Sequence, residues 1–244
     1  MTIWFSTISL SVVGSVGGLL VASLLLFFHH DVRTRVVPWL VSYAVGTLLG
    51  AALLSLVPEA LDSLKPHAAF GTLLGGILTF FVLEKLVLWR HCHDDADCHV
   101  HRSTATLIVV GDAVHTFVDG LVIAAATLTD LSLGITTALA IVAHEIPQEA
   151  GDFAVLLSAG YSRTQAFLKN LTSAAGGAVG AAAMLLSGGQ APRAVPYVLA
   201  FAAGNFLYVA MADLIPSLHR GHLDRNGVRQ FILIGLGVLT IAAL

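Results

Sequence analysis

Residues 144–153 read HEIPQEAGDF and lie inside a long apolar stretch, Leu131–Ala159. His144, Glu145, Glu149 and Asp152 bring four ionisable side chains into this short segment, and the helix breaker Pro147 sits among them. In hydrocarbon each such group costs several kcal/mol. The stretch is therefore either outside a membrane or matched to something that offsets that cost.

The surrounding chain decides for a membrane. Of its 244 residues, 57% are hydrophobic and only 11% charged, and the mean hydropathy is +0.86. Soluble domains carry about 25% charged residues. Apolar runs cover Trp4–Phe28, Pro38–Leu61, Ala68–Leu88, Thr104–Thr127, Leu131–Ala159, Phe167–Leu186, Val195–Leu218 and Val228–Leu244. Each approaches the ~20 residues a helix needs to cross a bilayer. This predicts an all-α polytopic membrane protein with eight transmembrane helices, forming a single transmembrane domain over 1–244. The connections leave no room for a soluble domain. The first run lacks a basic leader and exceeds a signal-peptide core in length, so it reads as a retained helix.

Basic residues set the orientation. With eight crossings the odd connections share one side, and they hold Arg33, Arg35, Lys85, Arg90, Arg102, Arg163, Lys169, Arg220, Arg225 and Arg229. That is ten of the twelve Lys and Arg, leaving Lys65 and Arg193 opposite. The positive-inside rule puts the odd loops in the cytoplasm and both termini outside. The expected location is the cytoplasmic membrane, and the composition offers nothing for nucleic acid. Cys92 and Cys98, on the cytoplasmic side, read as reduced thiols.

An internal echo joins the second and seventh runs. AVGTLLGAALLSLVPEAL and AAGNFLYVAMADLIPSL match without a gap at Gly46/Gly204, Leu49/Leu207, Ala52/Ala210, Leu56/Leu214 and Pro58/Pro216. Chance similarity among apolar helices and true repetition both remain open. If real, spans one to three and six to eight are inverted repeats, an arrangement typical of transporters. Spans four and five then form the central pair of a 3+2+3 arrangement.

That central pair carries the polar residues. In GDAVHTFVDG, Asp112, His115 and Asp119 are spaced i, i+3, i+7 and share a helical face. In the next span, His144 and Gln148 lie one turn apart, as do Glu145 and Glu149, and Asp152 continues the stripe. Pro147 deprives the Ala143 carbonyl of its usual partner, which predicts a kink and a free carbonyl. Imidazole nitrogen with carboxylate and amide oxygen on two facing helices is a ligand set for a borderline divalent metal. Polar groups that merely bond helix to helix are the plainer alternative.

HTFVDG and HEIPQEAGDF resemble the paired signatures of the ZIP family of divalent-metal transporters, His-Asn-x-x-Asp-Gly and His-Glu-x-Pro-His-Glu. LVPEAL, FFVLEKLVLWRHCH and FAAGNFLYVAMADLIP extend the resemblance over nearly the whole chain. It implies a primary metal site of His115, Asp119, His144 and Gln148, with Glu145 joining a second site that shares Asp119 and Gln148. Thr116 and Gln148 replace the usual Asn and His, and span six offers no carboxylate, so one well-formed site beside a degraded neighbour is expected. Asp112, Glu149, Asp152, Glu59 and Asp213 are supporting or pathway candidates.

The resemblance further implies transport of Zn²⁺ into the cytoplasm, with Fe²⁺, Mn²⁺ or Cd²⁺ also accepted because an amide replaces an imidazole. These ions are cargo, and no catalytic cofactor is expected. Spans one, four, five and six would move elevator-fashion against a dimerising scaffold of two, three, seven and eight. The stretch at about 90–102 gathers His91, Cys92, His93, Cys98, His99 and His101 as cytoplasmic metal-capturing candidates; short tracts of this kind bind weakly. Two other readings stay in view. HEIPQ resembles the zinc-hydrolase pattern HExxH, although Gln148 stands where the second His is needed. Export by the same fold is the other, since ligands do not encode direction.

Overall fold

The computed structural model describes residues 2–25, 30–89, 101–187, 191–218 and 225–243. Among these residues there are eight helical rods and no strand. The first rod is α1 (Thr2–Leu25), and the second is α2 (His30–Gly50), continued by a π-helical turn at Ala51–Leu56 into α3 (Val57–Ser63). Next come α4 (Pro66–Trp89), α5 (His101–Thr129), α6 (Leu131–Ser158) and α7 (Arg163–Leu186). The seventh rod is α8 (Ala191–Tyr208), continued by a π-helical turn at Val209–Leu214 into α9 (Ile215–Leu218), and α10 (Arg225–Ala242) is the last.

An all-helical answer is what lipid demands, because each helix satisfies its own backbone donors and acceptors. Five segments are long and apolar enough to cross by those criteria alone: Ile3–Leu24, Val36–Ser63, Pro66–Leu83, Val109–Thr129 and Arg193–Ala212. α10 contributes a shorter apolar helix, Gly227–Ala242. α6 and α7 are long enough, with 28 and 24 residues, since even 24 residues reach about 36 Å. They are more polar because α6 carries the ionisable stretch and α7 is built of small residues. The outer surface is apolar, with Phe5, Leu24, Leu78, Leu186, Phe231 and Leu239 exposed, while Asp119, His144, Glu145 and Glu149 are buried. Polar inside and apolar outside is the pattern of a polytopic membrane protein.

α6 runs unbroken through Pro147. At two other prolines the helix widens instead. Pro58 cannot donate to the carbonyl four residues back, and its ring crowds that carbonyl. One π-type turn just before it shifts the carbonyl aside, and the Val57 amide donates to Ala52, five residues back. Pro216 follows the same arrangement, with the Ile215 amide donating to Ala210. Both π turns occupy corresponding places in the two echoing segments.

The packing repeats as well. α2 packs on α10 as α8 packs on α4, and α2 meets α6 as α8 meets α5. Gly46 lets α2 approach the Ile234 carbonyl of α10, and its counterpart Gly204 lets α8 approach the Leu73 carbonyl of α4. In return, Gly237 faces Tyr43 and Thr47, and Gly76 faces Phe201 and Asn205, which occupy the matching positions. A chance likeness of apolar sequence would not reproduce four reciprocal close approaches in one register. The two outer triplets of rods are structural repeats.

Two packed groups result. α1, α5, α6 and α7 contact one another extensively, and the rods of α2, α4, α8 and α10 form the second group. The groups meet mainly where α2 crosses α6 and α5 crosses α8.

Candidate metal centre

α5 and α6 run antiparallel through the first group and bring their polar faces together. Asp130, the N-cap of α6, accepts from the Ser132 and Leu133 amides and fixes where α6 starts after its short link from α5. The i, i+4 pair His115 and Asp119 then faces the neighbours His144 and Glu145. Ligand-type atoms of these four residues all lie within 4.8 Å of one another, and all four are buried.

Three distances define the centre. His115 Nε2 lies 3.2 Å from His144 Nε2, 3.5 Å separates His115 Nε2 from Asp119 Oδ2, and 3.3 Å separates His144 Nε2 from the same oxygen. Ligands about 2.0–2.1 Å from a tetrahedral ion stand about 3.3 Å from each other. The triangle has the edge lengths of one face of such a tetrahedron. Glu145 Oε1 lies farther out, 4.0 Å from His144 Nε2.

The imidazole of His144 is held from behind. Its Nδ1–H donates to the Ala140 carbonyl at 3.1 Å, since a carbonyl can only accept. That selects the tautomer whose Nε2 lone pair points into the triangle, the usual second-sphere arrangement of a ligating histidine. Both Asp119 oxygens and Glu145 Oε1 lack hydrogen-bond partners. Phe80 from α4 meets the His115 ring edge-on with centroids 5.5 Å apart, and Phe206 from α8 meets His144 at 5.8 Å. The second group thus seals the centre with rings and adds no donor from them.

The remaining expected residues spread around this core. Gln148 is half-buried, and its Nε2 donates to Asp112 Oδ1 at 3.0 Å, so its amide nitrogen serves a neighbouring carboxylate. Thr116 is buried, with its hydroxyl donated to the Asp112 carbonyl at 2.8 Å. Asp112 Oδ2 accepts from Ser173 of α7. Glu149 is buried on the same face, Asp152 is half-buried a turn below, and Glu59 is half-buried in the first turn of α3. Asp213 falls in the second π turn. His91, Cys92, His93, Cys98 and His99 lie outside the described residues, and His101 opens α5.

Sequence reasoning missed Ser173 and Asn170, reading α7 only as a small-residue packing helix. Their signal was an i, i+3 polar pair at the head of that small-residue run. It also missed Phe80 and Phe206, which are ordinary apolar positions until the fold places them against the imidazoles.

In sequence, the chain is similar to known zinc transporters. A family profile described as "ZIP Zinc transporter" matches residues 89–244. Zinc transporter ZIP13 from Pongo abelii is 33% identical over 219 residues, covering 83% of this chain and 65% of the relative. Its counterpart from Homo sapiens is 30% identical over 257 residues, covering 83% of this chain and 69% of the relative. Zinc transporter ZIP10 from Mus musculus is 39% identical over 155 residues, or 61% of this chain and 19% of the relative. The chain spans about two thirds of the ZIP13 relatives and about a fifth of ZIP10. With matched residues running from the end of α4 to the C-terminus, both central motifs included, the chain belongs to the ZIP zinc transporter family.

Proposed function

We propose that this protein carries Zn²⁺, and with less discrimination Fe²⁺, Mn²⁺ and Cd²⁺, across the cytoplasmic membrane into the cytoplasm. The observation that carries the reading is the buried triangle of His115, Asp119 and His144, with Glu145 beside it, spaced as ligands of one tetrahedral ion. A bound dication supplies the countercharge that buried acids otherwise lack. The kinship with zinc transporters supports zinc as cargo.

An ion arriving from outside exchanges water for the two imidazoles and Asp119, and Glu145 or the Gln148 amide oxygen completes the set. Amide oxygen in place of a third imidazole makes the set harder, which favours tolerance of Fe²⁺ and Mn²⁺. Because α1, α5, α6 and α7 form one packed group, the site switches sides when that group moves against the other, which we assign to a homodimeric scaffold.

The test is zinc influx into proteoliposomes loaded with a fluorescent zinc indicator. Wild type should give saturable influx, with loss in His115→Ala and in His144→Ala. Undiminished flux in both variants would overturn the reading.

A further inference from the structure

One level below the imidazole triangle, three helices of the first group converge on groups that the transport site does not use. Asp112 lies one turn before His115 on α5, about 4.5 Å along the axis, and Glu149 lies one turn after Glu145 on α6, about 6 Å along it. Because the helices are antiparallel, these displacements point the same way. α7 adds Asn170 and Ser173, spaced i, i+3 and both buried. In the orientation set by the basic loops, this level is on the cytoplasmic side.

The groups are incompletely matched to one another. Asp112 accepts from Gln148 on one oxygen and from Ser173 on the other. Glu149 is 1% exposed, and neither of its oxygens has a hydrogen-bond partner. The groups that face it are Asp112, Glu145 and the side chain of Asn170, whose amide nitrogen points a donor toward Glu149 without reaching a close hydrogen bond. Lys169, the adjacent cation in sequence, lies over the Tyr161 ring at 4.9 Å. A buried carboxylate with two orphan oxygens facing a second carboxylate is costly unless a cation joins them.

We propose that Asp112 and Glu149, with the Ser173 hydroxyl, form a second divalent-cation site that receives the ion leaving the imidazole triangle. It rests on the transport reading for its place in the path, and it shares no imidazole with the first centre. Its donors are all oxygen, so it holds Zn²⁺ more weakly than a site with two imidazoles and favours harder ions such as Mn²⁺. A weaker site on the release side lets the ion leave. Gln148, one turn from His144 and bonded to Asp112, links the two levels.

The test counts Zn²⁺ and Mn²⁺ bound to the purified full-length protein by equilibrium dialysis and elemental analysis. Donors in the 90–102 stretch are present in every arm and cancel in the differences. Asp112→Asn/Glu149→Gln should lose one ion per chain from the weaker class and keep the tight Zn²⁺. His115→Ala/His144→Ala should lose the tight Zn²⁺ and keep the Mn²⁺ bound at the lower level. Ser173→Ala, a milder change, should weaken that class about three- to tenfold, with melting curves confirming the fold. Unchanged ion number and affinities in Asp112→Asn/Glu149→Gln, or an unchanged weak class in Ser173→Ala, would overturn the site. Failure of wild-type flux with these differences intact would instead reject the transport reading and leave the site standing.

Discussion

Alanine at Gly76 and at Gly237 should destabilise the protein by the same amount, although the two residues share no sequence neighbourhood. A Cβ on Gly237 would stand 2.5 Å from the Tyr43 carbonyl oxygen and 2.8 Å from the Thr47 nitrogen. On Gly76 it would stand 3.3 Å from the Asn205 nitrogen and 3.1 Å from the Phe201 carbonyl carbon, with the oxygen of that carbonyl closer still. The obstacles are backbone atoms, which cannot rotate away, so the helices must separate. Overpacking of this kind costs about 1–3 kcal/mol. Gly75 and Gly235 are internal controls, because a Cβ at either meets nothing within 4 Å. Alanine there should gain about 0.5–1 kcal/mol from reduced backbone entropy. That gain applies at all four positions, so each contact glycine should fall about 1–3 kcal/mol below its control. For a chain of this length the gap corresponds to about 2–12 °C in Tm, at about 2–4 °C per kcal/mol. Thermal unfolding in detergent, read by size-exclusion recovery, measures it. If Gly75→Ala harms as much as Gly76→Ala, or if Gly76 and Gly237 respond unequally, the repeat geometry is wrong.

Gly18→Ala places a Cβ 2.5 Å from Cβ of Glu145, so it should displace that carboxylate and weaken Zn²⁺ binding about tenfold or more; an unchanged Kd by dialysis would show that α1 does not position Glu145. Zn²⁺ affinity should fall steadily as pH falls, because protons and metal compete for the same imidazole and carboxylate lone pairs; a flat titration would argue against this donor set. Phe206→Ala removes a fully buried ring packed on His144 and should cost about 3–5 kcal/mol in thermal stability. Asp130→Ala removes the acceptor for two amides at the start of α6 and should cost about 0.5–2 kcal/mol, seen as a lower Tm.

Much of the fold was legible because lipid restricts the options. Hydropathy located the rods, and the register of Gly46 to Pro58 against Gly204 to Pro216 pointed to a repeat, whereas the two π turns and the reciprocal glycine contacts are visible only in the structure. Helical periodicity put His115 and Asp119 on one face of the fourth span, and the resemblance to the ZIP signatures implied that His144 joins them. Periodicity says which face a residue shares and not which rotamer it takes. The resemblance implied Gln148 as a ligand, and the structure adds that its amide nitrogen donates to Asp112, a rotamer detail no periodicity shows. The reach of α2 back to His30 was hidden because polar residues precede Pro38. Ser173 and Asn170 became visible only when α7 packed on α5, a tertiary fact with a faint sequence signal. Residues 90–100, whose composition invites a metal-capturing role, lie outside the described residues.

The division of donors between the two packed groups bears on how a transport cycle can work. Were the ion held between both groups, opening the site would require breaking metal–ligand bonds worth several kcal/mol each. Here His115 and Asp119 come from α5, and His144 and Glu145 from α6. All four belong to one group, as do Asp112, Glu149, Asn170 and Ser173 at the lower level. The other group presents Phe80 and Phe206 to the imidazoles. A ring contact of this kind, edge-on at Phe80 and tilted at Phe206, is worth about 0.5–1.5 kcal/mol, so it covers the site and can be exchanged for another apolar contact at little cost. Under the proposed transport reading, the first group would carry the ion with its own donors past the Phe80 and Phe206 rings. This placement of donors favours displacement of one group as a unit over a rocking motion that splits the site.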